Sequence, residues 1–438
     1  MQNIQFSNYI IAAWDQNSAK YKVVHGYIGS YDEFEYELGK KIAEKDESIL
    51  DEPDYVIEYL LNKGYLYNDE RDEEAWLDRV AKILHKNAAK ELHVSILPTY
   101  ECNFECPYCY EGSNKRKKTM SLDMVANIFS CLDKYEGKIS SDICLFGGEP
   151  LLKENYDIVK RIVLEGNKRG YRFFAASNGF DLDIFDDLLN PELIYMIQTT
   201  LDGTENYHDS MRCLKEKKPT FQKIIKNINR ALQKKVKIKV RTNVSLKNLV
   251  ELEKLIEFYQ EQGWIDNPYF KFYFSPIDNC TSSVNNKGIS QSEIYKYLEE
   301  KENLLVKPID IVGVYSDLYE RMKKIRDSRK LLLLQAEACS ANRNTIYIDP
   351  EGNMYPCCNI VGTSYTCGKL QNNEMILNSI YTEWNERTVF HMQACRKCAY
   401  ALFCGGGCTA KIVRSEQGLT HECCADIKEI VKECIRNL

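Results

Sequence analysis

Cysteine is the residue with the clearest capacity for chemistry in this chain, which has 18 of them among 438 residues. Three lie close together, at Cys102, Cys106 and Cys109. Three thiolates can hold three irons of a cubane cluster and leave the fourth iron without a protein ligand. A zinc knuckle or isolated thiols are the alternative, although zinc normally takes a fourth Cys or His and the loop contains none.

A second and larger group of cysteines lies near the end of the sequence. Cys339 is followed by Gly352 and Cys357, and a run with the spacing Cys-X2-Cys-X5-Cys-X3-Cys then extends from Cys395 to Cys408. Two adjacent cysteines follow at positions 423 and 424. Clustered cysteines of this kind indicate metal sites. Iron–sulfur clusters and zinc both accept thiolates, so the spacing alone does not decide between them and two zinc sites are an alternative.

The composition limits the classes of function. The net charge is −6 and charged residues make up 28% of the chain, so no basic field indicates nucleic-acid binding. No apolar stretch approaches the roughly 20 residues that span a bilayer, and the N-terminus lacks the features of a signal peptide. We therefore expect a cytoplasmic protein without a membrane partner. In a reducing cytosol, clustered cysteines are more often metal ligands or catalytic groups than disulfides.

Residues 91–275 must position the first cysteine group, and they alternate strand and helix patterns. Six strands with helical crossovers predict an α/β fold with a parallel sheet, in a partial (β/α)6 TIM-like barrel that binds ligands at the carboxyl ends of its strands. The predicted strands are His93–Pro98, Asp142–Phe146, Arg172–Ala176, Tyr195–Leu201, Val236–Val244 and Phe270–Phe274. The predicted helices are Leu122–Tyr135, Tyr156–Lys168, Leu182–Leu189, Phe221–Lys234 and Leu249–Gln262.

Three further segments flank this barrel. Residues 1–90 predict a small α+β domain of winged-helix-like shape, residues 276–338 a charged linker, and residues 339–438 a cysteine-rich domain. The predicted N-terminal strands are Ile4–Trp14, Tyr21–Ile28 and Tyr65–Tyr67, and the predicted helices are Asp32–Lys45, Asp54–Lys63 and Asp72–Lys90. The last helix has Trp76, Val80, Ile83 and Leu84 on one face. Beyond the linker, Thr345–Ile348 and Met354–Tyr355 predict a hairpin.

The cysteine triplet and the segments after the predicted strands together resemble the radical S-adenosylmethionine (SAM) superfamily. The triplet has the spacing CX3CX2C, and Gly147-Gly148-Glu149-Pro150 follows the second strand, where that family has a GGEP-like segment. The resemblance covers roughly residues 92–275. It implies that the backbone of Gly147 and Gly148, with Glu149, holds the methionine amino group of SAM. The other cofactor-binding residues that it implies are Tyr108 beside the adenine, Ser177 and Asn178 at the ribose and methionine, Arg212 after the fourth strand, and Arg241 near the SAM carboxylate.

The resemblance also implies the chemistry. In that family a reduced cluster cleaves SAM to methionine and a 5′-deoxyadenosyl radical, which abstracts hydrogen from an unactivated C–H bond. The cofactor supplies this chemistry, and the protein positions the reactants and excludes competing reactions. The sequence identifies no catalytic base. Asp278, just beyond the barrel, is a candidate, with a solvated linker carboxylate as the alternative.

The second cysteine group resembles the SPASM extension of radical SAM enzymes, which carries two auxiliary four-iron clusters. The resemblance therefore implies three [4Fe-4S] clusters in all. The ligands that it implies are Cys339, Cys357 and Cys408 for the first auxiliary cluster, and Cys395, Cys398, Cys404 and Cys424 for the second. Cys423 is the alternative to Cys424. Cys367 either completes the first auxiliary cluster or leaves an iron open to a substrate thiolate, and Cys358 is expected to be a bystander.

Enzymes with a SPASM extension mostly modify peptides or proteins. Similar maturases of ribosomally made peptides, such as sactipeptide and ranthipeptide synthases, often have an N-terminal domain that binds the precursor's leader by pairing it with a sheet edge. We therefore predict a SAM-dependent peptide cyclase that forms a cysteine thioether, with carbon–carbon crosslinking as the nearest variant. Its partners would be the precursor peptide and an external reductant such as flavodoxin or ferredoxin.

Three alternatives remain open. The N-terminal domain could be a structural cap. The enzyme could be an anaerobic sulfatase maturase that oxidises a protein Cys or Ser to formylglycine. A different class altogether would be a non-catalytic electron-transfer or peptide-binding protein, which would need no SAM pocket.

Overall fold

The computed structural model of the protein describes residues 4–68, 72–88, 91–111, 116–277, 288–328, 334–416, 418–424 and 426–438. They form two compact units. The first unit comprises Met1–Ala89, Val312–Ser340 and Glu386–Leu438, and the second comprises Lys90–Ile311 and Ala341–Asn385. Asp278 lies outside the described residues. Among those described, no helix combines the length and the apolar character needed to cross a membrane.

The N-terminal part of the first unit is a small α+β fold. Its strands are β1 (Gln5–Phe6), β2 (Ile10–Asp15), β3 (Lys20–His25), β4 (Tyr31–Glu35) and β5 (Leu66–Tyr67). Its helices are α1 (Tyr36–Glu44), α2 (Asp54–Asn62) and α3 (Glu73–Asn87). Strands β2, β3 and β4 form an antiparallel sheet in that order, and β1 pairs with β5. Val23, Phe34, Ile42, Leu60 and Tyr65 belong to its core.

The N-terminal part differs from the sequence prediction at the start of the first helix. Residues 32–35 of the expected helix Asp32–Lys45 belong to β4, and α1 follows directly. The chain reverses between β3 and β4 at Gly29, which has a φ of 73°. Pairing with β3 therefore overrides the helical propensity of this segment, since propensity is only a weak preference.

The predicted buried face of α3 is also wrong. Leu84 is buried as expected, but Trp76 is 45% exposed and Ile83 is 58% exposed. Glu73, at the start of the helix, is buried instead, and its carboxylate accepts a hydrogen bond from the Asn8 N–H at 2.8 Å. This polar anchor fixes the start of the helix, and Leu77 and Ala81 join Leu84 on the buried face at the spacing i, i+4 and i+7.

The second unit is centred on a mixed sheet, which in the described residues has ten strands. They are β6 (His93–Ile96), β7 (Asp142–Leu145), β8 (Arg172–Ala176), β9 (Ile194–Thr200), β10 (Lys237–Val244), β11 (Phe270–Pro276), β12 (Thr345–Ile348), β13 (Asn353–Tyr355), β14 (Gly368–Gln371) and β15 (Glu374–Leu377). Strands β6 to β11 are parallel neighbours in chain order, which confirms the α/β prediction. Strand β12 extends the sheet by pairing in parallel with β6, and it forms the predicted hairpin with β13.

Helices connect the parallel strands. The helices of this unit are α4 (Leu122–Asp133), α5 (Tyr156–Asn167), α6 (Glu205–Met211), α7 (Phe221–Gln233), α8 (Glu251–Glu261), α9 (Gln291–Glu299), α10 (Pro308–Ile311) and α12 (Ser379–Asn385). The predicted helix Leu182–Leu189 is wrong, because only Leu182–Phe185 forms a short 3-10 turn. Asn190 precedes a proline, and residues in that position disfavour the helical conformation. The sequence prediction also missed α6.

The remaining helices belong to the first unit. They are α11 (Gly313–Ser328), α13 (Gln393–Arg396), α14 (Ala401–Cys404), α15 (Thr409–Arg414) and α16 (Ile427–Arg436). Helix α16 packs against α11 and β2, and it buries Ile430, Val431, Cys434 and Ile435. The segment that starts at Val312 and the C-terminal segment therefore share one unit with the N-terminal strands.

Candidate active site

The cysteine triplet lies on the loop that follows β6, at the carboxyl end of that strand. The Glu105 N–H donates to the Cys213 carbonyl at 3.1 Å, which ties the loop to the segment after α6. The Phe104 N–H donates to Cys102 Sγ at 3.4 Å, and the Phe104 ring is buried. The protein's own contacts therefore fix where this loop lies.

The three thiols share one electrostatic environment. Burial raises the pKa of Cys102 to about 12, and the nearby Glu149, Cys106 and Cys109 contribute in the same direction. Burial raises the pKa of Cys106 to about 11, against the opposing charge of Arg212. Thiols with raised pKa values stay protonated near neutral pH unless a bound metal centre stabilises their thiolate form.

Gly147 and Gly148 pass directly over the chain that leads into the cysteine loop. A Cβ on Gly147 would lie 2.5 Å from the Thr99 carbonyl oxygen, and one on Gly148 would lie 2.4 Å from that of Glu101. Gly147 also has a φ of 122°, which L side chains rarely adopt. Only glycine allows the loop after β7 to approach the loop after β6 this closely.

The buried carboxylate of Glu149 connects the ends of β7 and β8. Ser177 Oγ donates to Oε1 at 2.7 Å, and the Asn178 N–H donates to Oε2 at 2.6 Å. Burial raises the pKa of Glu149 to about 7 despite these donors. Asn178 Nδ2 in turn donates to Asn103 Oδ1 in the cysteine loop at 2.7 Å. The structure therefore brings Glu149, Ser177 and Asn178 together beside the cysteines.

Tyr108 and Arg212 meet at the carboxylate of Asp202, which follows β9 and is buried. The Tyr108 hydroxyl donates to Asp202 Oδ2, and Arg212 Nη1 donates to the Tyr108 hydroxyl at 2.8 Å. The Asn243 N–H donates to Asp202 Oδ1 at 3.0 Å. Arg212 is buried, and its Nε has no hydrogen-bond partner among the described residues. An open, buried guanidinium donor of this kind suits an anionic group such as a carboxylate.

Arg241, on β10, lies apart from this network. Its Nε donates to Asn243 Oδ1 at 2.8 Å and its Nη2 to Ser275 Oγ at 3.4 Å. Both acceptors are neutral oxygens. The Asn243 side-chain amide also lies 3.4 Å from the Tyr108 hydroxyl, so one asparagine links Arg241 to the Tyr108 side of the site.

Sequence reasoning missed two side chains here. Glu111 follows the triplet, and its Oε1 is buried without a hydrogen-bond partner in the described part of the chain. Cys358 lies in the electrostatic environment of both Glu111 and Arg241. Hydrogen bonds with Cys357 and Tyr347 lower the pKa of Cys358 to about 7, and burial opposes this shift. The one signal in the sequence was position, because Glu111 lies two residues after Cys109 and Cys358 directly after Cys357.

In the first unit, four of the predicted ligands lie close enough to influence one another. They are Cys395, Cys398, Cys404 and Cys424. Burial raises the pKa of Cys395 to about 12, and Cys404, Cys398 and Cys424 contribute to the same shift. Cys424 also contributes to the raised pKa of Cys404. This set contains all four cysteines that were predicted for the second auxiliary cluster.

A turn of three glycines, Gly405–Gly407, lies between Cys404 and Cys408, and all three have positive φ. A Cβ on Gly405 would lie 2.4 Å from the Ala338 nitrogen, directly before Cys339. A Cβ on Gly407 would lie 2.0 Å from the carbonyl oxygen of Cys423. The turn therefore brings three cysteine-bearing segments of the first unit together.

Cys357 and Cys367 belong to the second unit, and both are buried. The Cys367 N–H donates to the Met354 carbonyl at 2.8 Å, and burial raises the pKa of the Cys367 thiol to about 12. Whether Cys367 is a ligand stays a prediction.

In the described residues, no group of three His, Cys, Asp or Glu side chains is arranged to hold a single metal ion. A cubane cluster makes a different demand, because each thiolate binds a different iron. The shared environment of Cys102, Cys106 and Cys109, with the open Arg212 donor beside it, fits such a cluster together with an anionic cofactor group.

The fold and the site define an α/β protein with clustered thiols at the carboxyl end of its first parallel strand. The family model for the radical SAM superfamily matches residues 96–259, which include the triplet, Glu149 and Arg241. The S-adenosylmethionine-dependent nucleotide dehydratase of Psychrobacter lutiphocae is 31% identical over 236 residues, or 50% of this chain and 74% of that protein. The chain belongs to the radical SAM superfamily, and membership implies a [4Fe-4S] cluster and SAM.

Two other similarities cover more of the chain. A cysteine-type anaerobic sulfatase-maturating enzyme from Clostridium novyi is 25% identical over 345 residues, or 73% of this chain and 88% of that protein. The structure of Streptococcus suis SuiB bound to precursor peptide SuiA has a TM-score of 0.53 at 12% identity. That match covers 96% of this chain and 98% of SuiB, so the two share a fold along nearly their whole length.

Proposed function

We propose that the protein is a radical SAM peptide maturase that abstracts hydrogen from a ribosomally made precursor peptide and closes an intramolecular cysteine thioether. One observation carries this choice. The fold shared with SuiB, which was solved with a precursor peptide, covers 96% of this chain and so includes most of the N-terminal region. The fold shared with anSMEcpe, which was solved with AdoMet and the Cp18Cys peptide, covers 79% of it. A fold that extends through the N-terminal region favours the peptide maturase.

In this proposal Cys102, Cys106 and Cys109 hold the SAM-cleaving cluster, which together with SAM supplies the radical. The cofactor-binding residues are Tyr108, Gly147, Gly148, Glu149, Ser177, Asn178, Arg212 and Arg241. Arg241 is expected near the SAM carboxylate, and Arg212 adds a buried guanidinium whose Nε has no hydrogen-bond partner among the described residues. Glu149 orders the ends of β7 and β8, and the two glycines let the loop after β7 approach the loop after β6 closely.

The cysteine-rich region would hold two auxiliary clusters as a SPASM domain does. Cys395, Cys398, Cys404 and Cys424 hold the second, and their mutual influence supports that set. The ligands of the first are Cys339, Cys357 and Cys408. If Cys367 is not a fourth ligand, one iron is open to the thiolate of the substrate.

The leader of the precursor would pair with β4. The sheet order β2-β3-β4 gives β4 a strand neighbour on one side, and among the described residues none on the other. An open edge of this kind accepts an extended peptide through main-chain hydrogen bonds. Aromatic surface lies beside it, because the Tyr59 hydroxyl donates to Asp32 on β4 and Tyr55, one turn earlier on α2, is 74% exposed.

The test is to incubate the reconstituted, reduced enzyme with SAM and the short peptide encoded beside its gene. We expect 5′-deoxyadenosine and a peptide lighter by the mass of two hydrogens. A matched peptide with serine in place of each cysteine separates the crosslinks, since a thioether needs the sulfur and a carbon–carbon bond does not. A precursor that emerges unchanged in mass, while 5′-deoxyadenosine accumulates, would contradict the proposal.

Formylglycine formation is the second candidate, favoured by the 25% identity to a sulfatase-maturating enzyme. The same reduced enzyme would then oxidise a peptide with a sulfatase motif at its Cys or Ser. An aldehyde on that peptide, detected by reaction with a hydrazine, together with no change in the precursor, would select this function instead.

A further inference from the structure

Arg387 is a buried cation held by neutral groups. It follows α12 at the start of the last segment of the first unit, and it is 2% exposed. Its hydrogen bonds go to one hydroxyl and four carbonyls: Thr409 Oγ1 at 3.3 Å, and the oxygens of Gly406 at 3.1 Å, Gly407 at 3.1 Å, Leu419 at 3.0 Å and His421 at 2.7 Å. These bonds fix the guanidinium plane but provide no negative charge.

A buried charge of this kind is costly unless an opposite charge compensates it. Burial lowers the pKa of Arg387. The groups that oppose this shift are four thiols, Cys395, Cys408, Cys423 and Cys339. The partners that would balance the arginine are therefore predicted ligands of both auxiliary clusters, with Cys423 beside them.

The hydrogen bonds place Arg387 between the two sets of ligands. The Gly406 and Gly407 carbonyls belong to the turn that joins Cys404, a ligand of one proposed cluster, to Cys408, a ligand of the other. The His421 carbonyl belongs to the segment that leads to Cys424. A single side chain of the first unit thus binds the backbone between Cys404 and Cys408, which belong to different predicted ligand sets.

We propose that Arg387 is the counter-charge of the two auxiliary clusters and raises the reduction potential of each. The inference rests on the proposed function in one respect, that these cysteines hold clusters. A cubane cluster gains one negative charge when it accepts an electron from the external reductant, and a fixed cation nearby stabilises that reduced form. Arg387 is a positioning residue that acts through the clusters and does not touch the substrate.

The test measures potentials and requires no peptide. A variant with Cys102, Cys106 and Cys109 all changed to Ala keeps only the auxiliary clusters, which are titrated by electron paramagnetic resonance at set solution potentials. In that background we expect Arg387→Met to lower the ratio of reduced to oxidised cluster about tenfold at a fixed potential, a shift of about 59 mV for a one-electron couple. Arg387→Lys keeps the charge, and we expect its potentials to stay close to the parent.

Arg230→Met is the matched control, because it removes one positive charge from an exposed ion pair, between Arg230 on α7 and Asp186, in the other unit. We expect it to change neither iron content nor potential. Full iron and unchanged potentials in Arg387→Met would overturn the inference. Equal loss of iron from the Met and Lys variants would overturn it too, because the arginine would then be structural only.

The failures of the two proposals can be told apart. If the triple-cysteine background binds no iron, the auxiliary clusters are refuted, and the counter-charge with them. If the potentials shift as expected but the precursor peptide emerges unchanged, the thioether function fails and the role of Arg387 stands.

Discussion

At the scale of single residues, Asp202 holds the part of the cysteine loop that contains Tyr108. Its buried carboxylate accepts hydrogen bonds from the Tyr108 hydroxyl and from the Asn243 N–H, and it balances the charge of Arg212. Tyr108 lies between Cys106 and Cys109, so this carboxylate connects the cysteine loop to the end of β9 and to β10. In the proposed function it keeps both Tyr108 and the open Arg212 donor in position for SAM.

We expect Asp202→Asn to weaken SAM binding ten- to about a hundredfold, because hydrogen bonds to a charged group contribute about 1.5–3 kcal/mol. Calorimetric titration of the iron-loaded enzyme under anaerobic conditions measures this. Iron content should be unchanged, since the cysteines are untouched. Asp142→Asn is the control. Asp142 is the first residue of β7, at the amino end of the parallel strands, and it pairs there with Arg172. Equal affinities in the two variants would contradict the role of Asp202.

The neighbouring cysteines 423 and 424 offer a sharper residue-level test. Cys424 contributes to the raised pKa values of Cys395 and Cys404, whereas the Cys423 N–H donates to the Gly406 carbonyl at 3.0 Å. We expect Cys424→Ser to lose about a third of the bound iron, since one of the three proposed four-iron clusters would lose a ligand. Cys423→Ser should retain it. Iron analysis of the two variants decides, and the reverse pattern would assign the ligand to Cys423.

At the scale of elements, the site depends on how closely the loops at the carboxyl ends of β6 and β7 approach. The glycines after β7 let their backbone lie against residues Thr99 to Glu101, and the Glu149 N–H donates to the Glu101 carbonyl at 2.8 Å. The loop after β6 thus has its cysteines placed partly by the next strand. A similar close approach at Gly405–Gly407 serves the cysteines of the first unit.

Gly147→Ala tests this approach, with Gly170→Ala as its control. Both glycines have positive φ, but a Cβ on Gly147 would lie 2.5 Å from the Thr99 carbonyl, whereas one on Gly170 would meet nothing within 4 Å. The left-handed conformation costs an alanine about 1–2 kcal/mol at either site. We expect both variants to lower the melting temperature. Only Gly147→Ala should also lose iron. Normal iron content in Gly147→Ala would show that the contact is not needed.

The elements of the parallel sheet could be predicted from the sequence because each strand is a short apolar run between clear helical patterns. β8 has the predicted bounds. The other five strands differ from the prediction by no more than two residues at either end. A prediction failed where a distant partner decides the outcome, as β3 does for the segment 31–35. The face of α3 was wrong for another reason, because two apolar series overlap along that helix and the one with Leu77 and Ala81 is buried. Arg387 follows Asn385 and Glu386 and has the pattern of a surface residue, and only the tertiary fold surrounds it with thiols.

At the scale of the whole molecule, the proposed leader site on β4 belongs to the first unit and the proposed SAM site to the second. We expect hydrogen exchange of residues 31–35 to slow when the precursor peptide is added, since an added strand would cover their free N–H groups. A peptide with the leader scrambled is the control and should leave this segment unchanged. Protection confined to residues of the second unit would show that the leader binds elsewhere.

The pairing of β12 with β6 also has a consequence for the order in which the protein folds. Ile348 lies opposite Ile96, although nearly the whole barrel sequence separates them. During synthesis, β6 can pair with β7 early, but its other edge must wait until β12 has left the ribosome, since contacts distant in sequence form late. Until then the first strand keeps an open edge that can pair wrongly. A chain truncated before Thr345 would keep that edge permanently and should aggregate.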